Sequence, residues 1–261
     1  MIRVGIGGWI FPAWRGEFYP KGLPQARELE YASRKLTTIE INSTFYRTQN
    51  AASFRKWAQQ TPDDFVFSVK GPQFATNRRV LGEARDSIER FFGSGVLELK
   101  SKLGPVLWQM APFKKFEPDD FASFLALLPQ QLDGRRIRHV VEVRHANFVD
   151  PSFIALLRKF SVAAALVESD KHPLIADVAG DFVYARLQRT SEKVQTGYAP
   201  AALDAWTKRA RTFASGEIPD DLSSIVDEAP AKTKRDVFIY MIAGAKVRAP
   251  TAAMALLERL K

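Results

Sequence analysis

The sequence predicts a (β/α)8 barrel folded as one domain over residues 1–261. Three observations lead there. Eight short apolar runs alternate with helical patterns along the chain, the order of a parallel sheet crossed over by helices. Charged residues in those runs fall at their C-terminal ends, where barrels of this kind build their sites. No G-x-G-x-x-G or G-x-x-x-x-G-K-[ST] loop opens a helix, which argues against a doubly wound nucleotide-binding sheet. Gly5 and the pair Gly7-Gly8 run instead into Trp9-Ile10-Phe11-Pro12.

The elements follow in order. The first strand is 4–7. A helical pattern over 25–36 puts Leu29, Ala32 and Leu36 on one face. The second strand is 38–41, after which Asn50 is placed to cap a helix that buries Phe54, Trp57 and Ala58. Strands at 65–70 and 106–109 follow, then a stripe of Phe121, Phe124, Leu125 and Leu128 at helical spacing. After the strand at 139–144, Asp150-Pro151 is an N-cap followed by proline at the first helical position. That helix carries Phe153, Leu156, Leu157 and Phe160. Strands at 163–167 and 182–187 come next. Residues 216–234, with Pro219, Asp220, Asp221 and Pro230, read as a surface excursion from the domain. The eighth strand is 237–242, and Ala249-Pro250 opens a last helix bearing Met254 and Leu257.

Composition removes several chemistries. With no cysteine there is no disulfide framework, thiolate zinc site, iron–sulfur cluster or cysteine nucleophile. Only His139, His145 and His172 are present, too few for a histidine-rich multi-metal site. The net charge of +9 points to an anionic partner. Neither a signal-peptide core at the N-terminus nor an apolar run of 18 residues is found, so the expectation is a cytoplasmic protein without membrane association.

Alternation along the strands selects the candidate site. Side chains at i and i+2 share a face. Thr38, Glu40 and Asn42 therefore lie opposite Ile39 and Ile41. Ser68 and Lys70 share a face, as do Glu142 and Arg144, and Tyr184, Arg186 and Gln188. The apolar faces suit the helix ring, so the polar faces point into the barrel. Glu40, Lys70, Glu142, Arg144 and Arg186 then meet at one mouth, where buried charge must be paired or functional. The structural alternative is that Glu40 neutralises Lys70 and Glu142 neutralises Arg186. His145 follows the fifth strand and is a candidate for the same mouth, whereas His139 reads as structural and His172 as an exposed loop residue. The aromatic stretch Trp9, Phe11, Trp14, Phe18 and Tyr19 either presents rings for stacking or folds back over the barrel.

Four blocks carry a resemblance. They are Gly5-Ile6-Gly7-Gly8-Trp9 with Trp14-Arg15-Gly16 and Phe18-Tyr19-Pro20; Glu40-Ile41-Asn42-Ser43-Thr44-Phe45-Tyr46-Arg47; Lys102-Leu103-Gly104-Pro105-Val106-Leu107-Trp108-Gln109; and Glu142-Val143-Arg144-His145. In this order and spacing the chain closely resembles the YecE-like family, domain of unknown function 72, over essentially its whole length. The resemblance implies a (β/α)8 barrel and brings no established activity. This chain departs from the family pattern late: after Arg186 it has Gln188-Arg189 where His-Gly is usual, and Met241-Ile242-Ala243 where the last strand usually ends in Phe-Asn-Asn.

Three functions are consistent with this pattern. The first is an enzyme (a hydrolase, lyase or isomerase) acting on a phosphorylated or carboxylated sugar or similar anionic molecule. Glu40 or Glu142 would be general acid and base, with Lys70 and His145 as further catalytic groups. Arg144 and Arg186 would clamp the anion, while Asn42, Gln109, Trp9 and Tyr46 would line the site. If Glu40 and Glu142 were a glycosidase pair, their carboxyl groups would stand roughly 5–9 Å apart. The second is a nucleic-acid-binding or endonuclease-like protein, with a single Mg²⁺ or Mn²⁺ held by Glu40, Glu142 and Asp170. The third is a non-catalytic ligand-binding barrel.

Overall fold

The computed structural model describes residues 1–228 and 230–261, so Ala229, inside the expected excursion, lies outside the described residues. Eight parallel strands close into a barrel: β1 (Ile2–Gly7), β2 (Thr38–Ile41), β3 (Val66–Lys70), β4 (Leu103–Gln109), β5 (His139–Glu142), β6 (Ala163–Glu168), β7 (Phe182–Leu187) and β8 (Asp236–Met241). Each pairs with its neighbour in sequence, and β8 closes on β1 through Ile2↔Val237 to Ile6↔Met241. Among the described residues, seven helices of eight residues or more pack outside: α1 (Glu28–Lys35), α2 (Ala51–Gln60), α3 (Arg85–Gly93), α4 (Pro118–Leu127), α5 (Pro151–Lys159), α6 (Pro200–Ser215) and α7 (Ala249–Leu260). The expected caps form. Asn50 Oδ1 accepts from the Ser53 amide at 2.9 Å, and Asp150 Oδ1 from the Ser152 amide at 2.7 Å.

Strand alternation sorts the side chains as the pleat requires. Ile39, Ile41, Phe67, Val69, Val106, Trp108, Val141, Ala185 and Ile239 face the helices and are buried there. Leu107, Val140, Ala163, Ala165, Val167, Phe182, Tyr184, Phe238 and Tyr240 fill the barrel. In α7 the inward stripe is Ala249, Ala252, Ala253 and Leu256, whereas the expected Met254 and Leu257 are only partly covered. The small residues let that helix lie close to the strands.

Strict alternation fails once. Between β6 and β7 no helix forms among the described residues. The segment carries His172-Pro173 near its start, and proline disfavours helical geometry in the residue before it. The chain runs extended instead, burying Ile175, Ala176 and Val178. The excursion after α6 helps to cover this position. Asp177 accepts from the Ile225 amide at 3.1 and 2.9 Å and from the Val226 amide at 3.1 Å, while Leu222, Ile225 and Val226 pack on the core. Arg158 of α5 reaches Glu228 at 2.8 Å. The excursion therefore takes part in the barrel wall. Among the described residues, no helix is long and apolar enough to cross a membrane.

Candidate functional site

The site begins with a polar layer in mid-barrel. Thr38 Oγ1 bonds the Tyr240 hydroxyl at 2.8 Å and donates to the Val66 carbonyl at 2.7 Å. Ser68 Oγ bonds the Tyr184 hydroxyl at 2.7 Å, and Tyr184 donates to Glu40 Oε2, also at 2.7 Å. These short hydroxyl residues and tyrosines satisfy one another, which is the condition for polar groups inside a core.

One level up, at the C-terminal ends of the strands, Arg186 joins two carboxylates. Its Nε donates to Glu40 Oε2 and its Nη2 to Glu40 Oε1, both at 3.0 Å. Its Nη1 donates to Glu142 Oε2, and reaches Gln109 Oε1 at 3.4 Å. Arg144 Nε completes Glu142 by donating to Oε1 at 2.8 Å. Glu40 and Glu142 are each 0% exposed, with every carboxylate oxygen engaged. Burial presses the Glu142 pKa upward, but Arg186 and Arg144 together outweigh it and hold the carboxyl below its ordinary value. For Arg186, burial is opposed by Glu142 and Glu40, which keep the guanidinium charged more firmly than usual.

Of the two expected pairs, Glu142 with Arg186 forms and Glu40 with Lys70 does not. Glu40 is matched to Arg186, and Lys70 joins neither carboxylate by a salt bridge among the described residues. Lys70 ends β3. Its carbonyl accepts from Thr44 Oγ1 at 2.7 Å, which pins the short helix Ser43–Tyr46 above it. That places the Phe45 ring centroid 3.9 Å from Lys70 Nζ. On the other side Gly71 lies against Trp108; a methyl group there would come within 2.4 Å of the indole. Desolvation, then the Arg186 charge, push the Lys70 pKa down to about 8.

Above this layer opens a cavity of about 850 Å³. Its charged lining consists of Arg47, Lys56, Lys70, Arg144, Arg186 and Lys246. No carboxylate lines it among the described residues, since Glu40 and Glu142 lie beneath its floor. Arg144 spends only Nε on Glu142, so Nη1 and Nη2 make no hydrogen bond among the described residues. Asn42, Gln109, Trp9 and Tyr46 also line the cavity. Trp9 stands edge-on to Trp57, with centroids 5.2 Å apart. Ser43 Oγ and Gln49 Nε2, in the same wall, are buried without a hydrogen-bond partner among the described residues.

Three expectations are corrected. His145 does not reach the cavity: it caps a local turn, its Nδ1 accepting from the Asn147 amide at 3.2 Å. Glu40, Glu142 and Asp170 do not form a cation site. Asp170 lies on an exposed loop paired with Arg189 at 2.6 Å, while the two glutamates are filled by guanidinium and hydroxyl hydrogens. His172, expected to be exposed, is half-buried beside Arg144, and burial lowers its pKa. His139 is structural as read. It accepts from Trp108 Nε1 at 3.0 Å and faces the Pro129 carbonyl at 2.8 Å, and burial lowers its pKa to about 4.

The aromatic stretch folds back. Trp14, Phe18 and Tyr19 are buried, and Trp14 Nε1 donates to the Lys246 carbonyl at 2.9 Å. Only its leading edge, Trp9 and Ile10, reaches the cavity. Arg47, Lys56 and Lys246 were missed as lining residues. Each sits outside a strand, where alternation has no hold; for Arg47 and Lys246 the available signal was position in a loop after a strand end.

The model described as "Protein of unknown function DUF72" matches residues 3–261. Among curated proteins, the chain is 26% identical over 174 residues to the UPF0759 protein YunF of Bacillus subtilis, covering 65% of this chain and 60% of that one. To the UPF0759 protein YecE of Escherichia coli K12 it is 28% identical over 149 residues, covering 57% and 50%. The matched region thus spans half to three-fifths of these relatives. The crystal structure of a DUF72 family protein from Thermotoga maritima superposes with a TM-score of 0.75 at 19% identity, covering 100% of this chain and 99% of that one, a likeness of fold.

Proposed function

Because the chain belongs to the DUF72 family, a family described only as proteins of unknown function, we propose its activity from the site itself: an enzyme acting on a small anionic molecule at the C-terminal mouth of the barrel. The observation that carries this is the sorting of charge. Six cations line the cavity, while the two carboxylates that would repel an anion are sealed beneath it. With Glu40, Glu142, Lys70, Arg144 and Arg186 ionised, the floor keeps one excess positive charge. A phosphate or carboxylate supplies the missing partner.

The residues divide the work. Arg144 presents its terminal nitrogens as a planar fork that matches a carboxylate or phosphate. Glu142 holds that fork in place, and Arg186 with Glu40 fixes Glu142. Asn42, Gln109, Ser43 and Gln49 offer hydrogen bonds to hydroxyl groups, and Trp9 and Tyr46 offer faces to an apolar edge. Glu40 and Glu142 become positioning residues. Neither faces the substrate as an acid or base, and a glycosidase pair is not open to the cavity.

The test is thermal-shift and calorimetric screening against sugar phosphates, sugar acids and their neutral counterparts. Anionic ligands are expected to bind and neutral ones not. Arg144→Ala is expected to weaken binding about 10–100-fold, the value of a charged hydrogen-bonded pair. Absence of binding by every anion overturns the proposal, and binding without turnover favours the non-catalytic reading.

A second reading has its own observation. Among the described residues, and apart from Met1, the exposed large apolar residues are Ile10, Tyr46, Phe74, Val80, Phe113, Val149 and Leu174. All follow a barrel strand, so all lie on the mouth side, among Arg47, Arg78, Arg79, Lys115 and Lys171. Rings interleaved with cations suit single-stranded nucleic acid. Anisotropy titration with single-stranded DNA and RNA tests it: affinity should fall steeply with salt. No binding at low salt removes this reading.

A further inference from the structure

Three lysines are buried among the described residues: Lys70 at 5%, Lys102 at 8% and Lys114 at 8% exposure. Two are structural. Lys102 Nζ donates to the Ala58 carbonyl at 2.6 Å, the Thr61 carbonyl at 2.7 Å and Thr61 Oγ1 at 3.3 Å. Lys114 Nζ donates to the Arg78 and Arg79 carbonyls at 3.1 and 2.6 Å and to Asp120 at 3.4 Å. Each uses its three protons on three acceptors, as a buried ammonium must. Lys70 has no acceptor among the described residues. Its amine meets the Phe45 ring and the cavity, with Arg144 and Arg186 as cationic neighbours on the same floor.

A buried amine left without acceptors, walled by an aromatic ring and open to a pocket, is arranged as a nucleophile. We propose that Lys70 forms a covalent imine with a substrate that carries both a carbonyl group and an anionic group, such as a 2-oxo acid or a phosphorylated aldehyde or ketone. This rests on the anion-binding reading of the same cavity and names the chemistry beside it: the anion seats on Arg144, and the carbonyl faces Lys70.

The step balances without an oxidant or reductant. Lys70 first releases a proton to cavity water. The neutral amine adds its lone pair to the carbonyl carbon, the π pair moves to oxygen, and a proton passes from nitrogen to that oxygen. The carbinolamine takes up one proton and expels its hydroxyl as water while the nitrogen lone pair closes the C=N bond. Ammonium plus carbonyl becomes protonated imine plus one water. The positive nitrogen then draws electrons from the adjacent carbon, which assigns the enzyme to C–C or C–H bond cleavage, a lyase or isomerase. Desolvation and then Arg186, against the opposing pull of Glu40 and Glu142, supply the free amine, which at a pKa of about 8 is roughly 100-fold more abundant at pH 8 than for an ordinary lysine.

The experiment is borohydride trapping of the full chain at pH 8 with pyruvate, glyoxylate and glyceraldehyde 3-phosphate, and with neutral glyceraldehyde as control. It is read by intact mass and peptide mapping. One reduced adduct per chain is expected, on Lys70, at least tenfold above any surface lysine and reduced with the neutral control. The oxo-acid and phosphate arms separate the two anion sources. Lys70→Arg should lose the adduct and keep the thermal shift with anions. Should that variant not fold, labelling of Lys70 against Lys102 and Lys114 within the wild-type chain decides instead. Adduct spread over surface lysines, or none while anions still bind, overturns the imine alone. Absence of anion binding overturns the reading beneath it.

Discussion

Arg186 grips Glu40 with two parallel hydrogen bonds, Nε to Oε2 and Nη2 to Oε1, both 3.0 Å, across strands that are not neighbours in the barrel. Such a fork-on-fork pair fixes direction as well as distance. It leaves Nη1 aimed at Glu142, which in turn holds Arg144. The cavity-facing Arg144 is therefore set by a chain of contacts that begins at Glu40, a residue that does not line the cavity.

Arg186→Met leaves two buried carboxylates without their shared partner and is expected to cost about 3–5 kcal/mol at neutral pH. Glu142 has a lowered folded pKa, so its contribution is full above the unfolded carboxylate value of about 4.3 and is lost as pH falls through the folded value. The deficit of the variant should thus be largest near pH 7 and shrink toward acid. Urea midpoints measured across pH check it, and a deficit independent of pH contradicts the electrostatic account.

Lys70→Met should do the opposite to stability. With its folded pKa lowered to about 8, Lys70 binds fewer protons in the native than in the unfolded state between about 8 and 10.5. Wild-type stability therefore rises with pH across that window. At pH 7 the buried charge is a standing cost, and removing it should gain about 2 kcal/mol while removing the borohydride adduct. The gain should shrink across that window and vanish only above about pH 10.5. A variant less stable than wild type at pH 7 would show that Lys70 serves packing.

The barrel and the floor of the site were readable because both depend on strand parity. Once Ile39 and Ile41 are assigned to the helix side, Glu40 must point inward, and the same holds for Lys70, Glu142 and Arg186. Parity does not say which charge pairs with which. Arg186 bridges two glutamates because its fork is wider and has more donors than an ammonium, a matter of reach across the barrel that one strand at a time cannot express. It also ends with the strand. His145 lies just past β5, where the chain turns away, and Lys56 enters the cavity from α2. The missing helix before β7 was hidden because its place is taken by a segment some 50 residues later in the chain.

Asp177 is the anchor of that substitution. Its two oxygens accept from the amides of Ile225 and Val226. Asp177→Ala strands both amides and should cost about 1–3 kcal/mol. It should also open residues 217–228 to limited proteolysis while anion binding in the cavity, which neither Asp177 nor these residues line, persists. Cleavage there at the wild-type rate would mean that the excursion is held by Leu222, Ile225 and Val226 packing alone.

Two glycines separate the cavity from the frame that supports it. A methyl group on Gly7 would come within 2.9 Å of Ile242 Cδ1 and 3.0 Å of Asn42 Nδ2, the ends of two side chains that line the cavity, Asn42 being held only by a 3.4 Å bond to the Glu40 carbonyl. They have room to move, but only into the space a ligand would occupy. Gly7→Ala is therefore expected to cost only about 1 kcal/mol of stability and yet to weaken anion binding. On Gly71 the methyl group would meet the buried Trp108 ring at 2.4 Å, and that ring is wedged among Phe91, Phe124 and His139. Gly71→Ala is expected to cost about 3 kcal/mol, at the upper end for overpacking a core, and to displace Lys70 with the backbone. Denaturation and anion titration of the two variants side by side check the distinction. Equal stability losses would mean that the floor around Gly7 is as rigid as the wall behind Gly71, and that the cavity does not yield to what enters it.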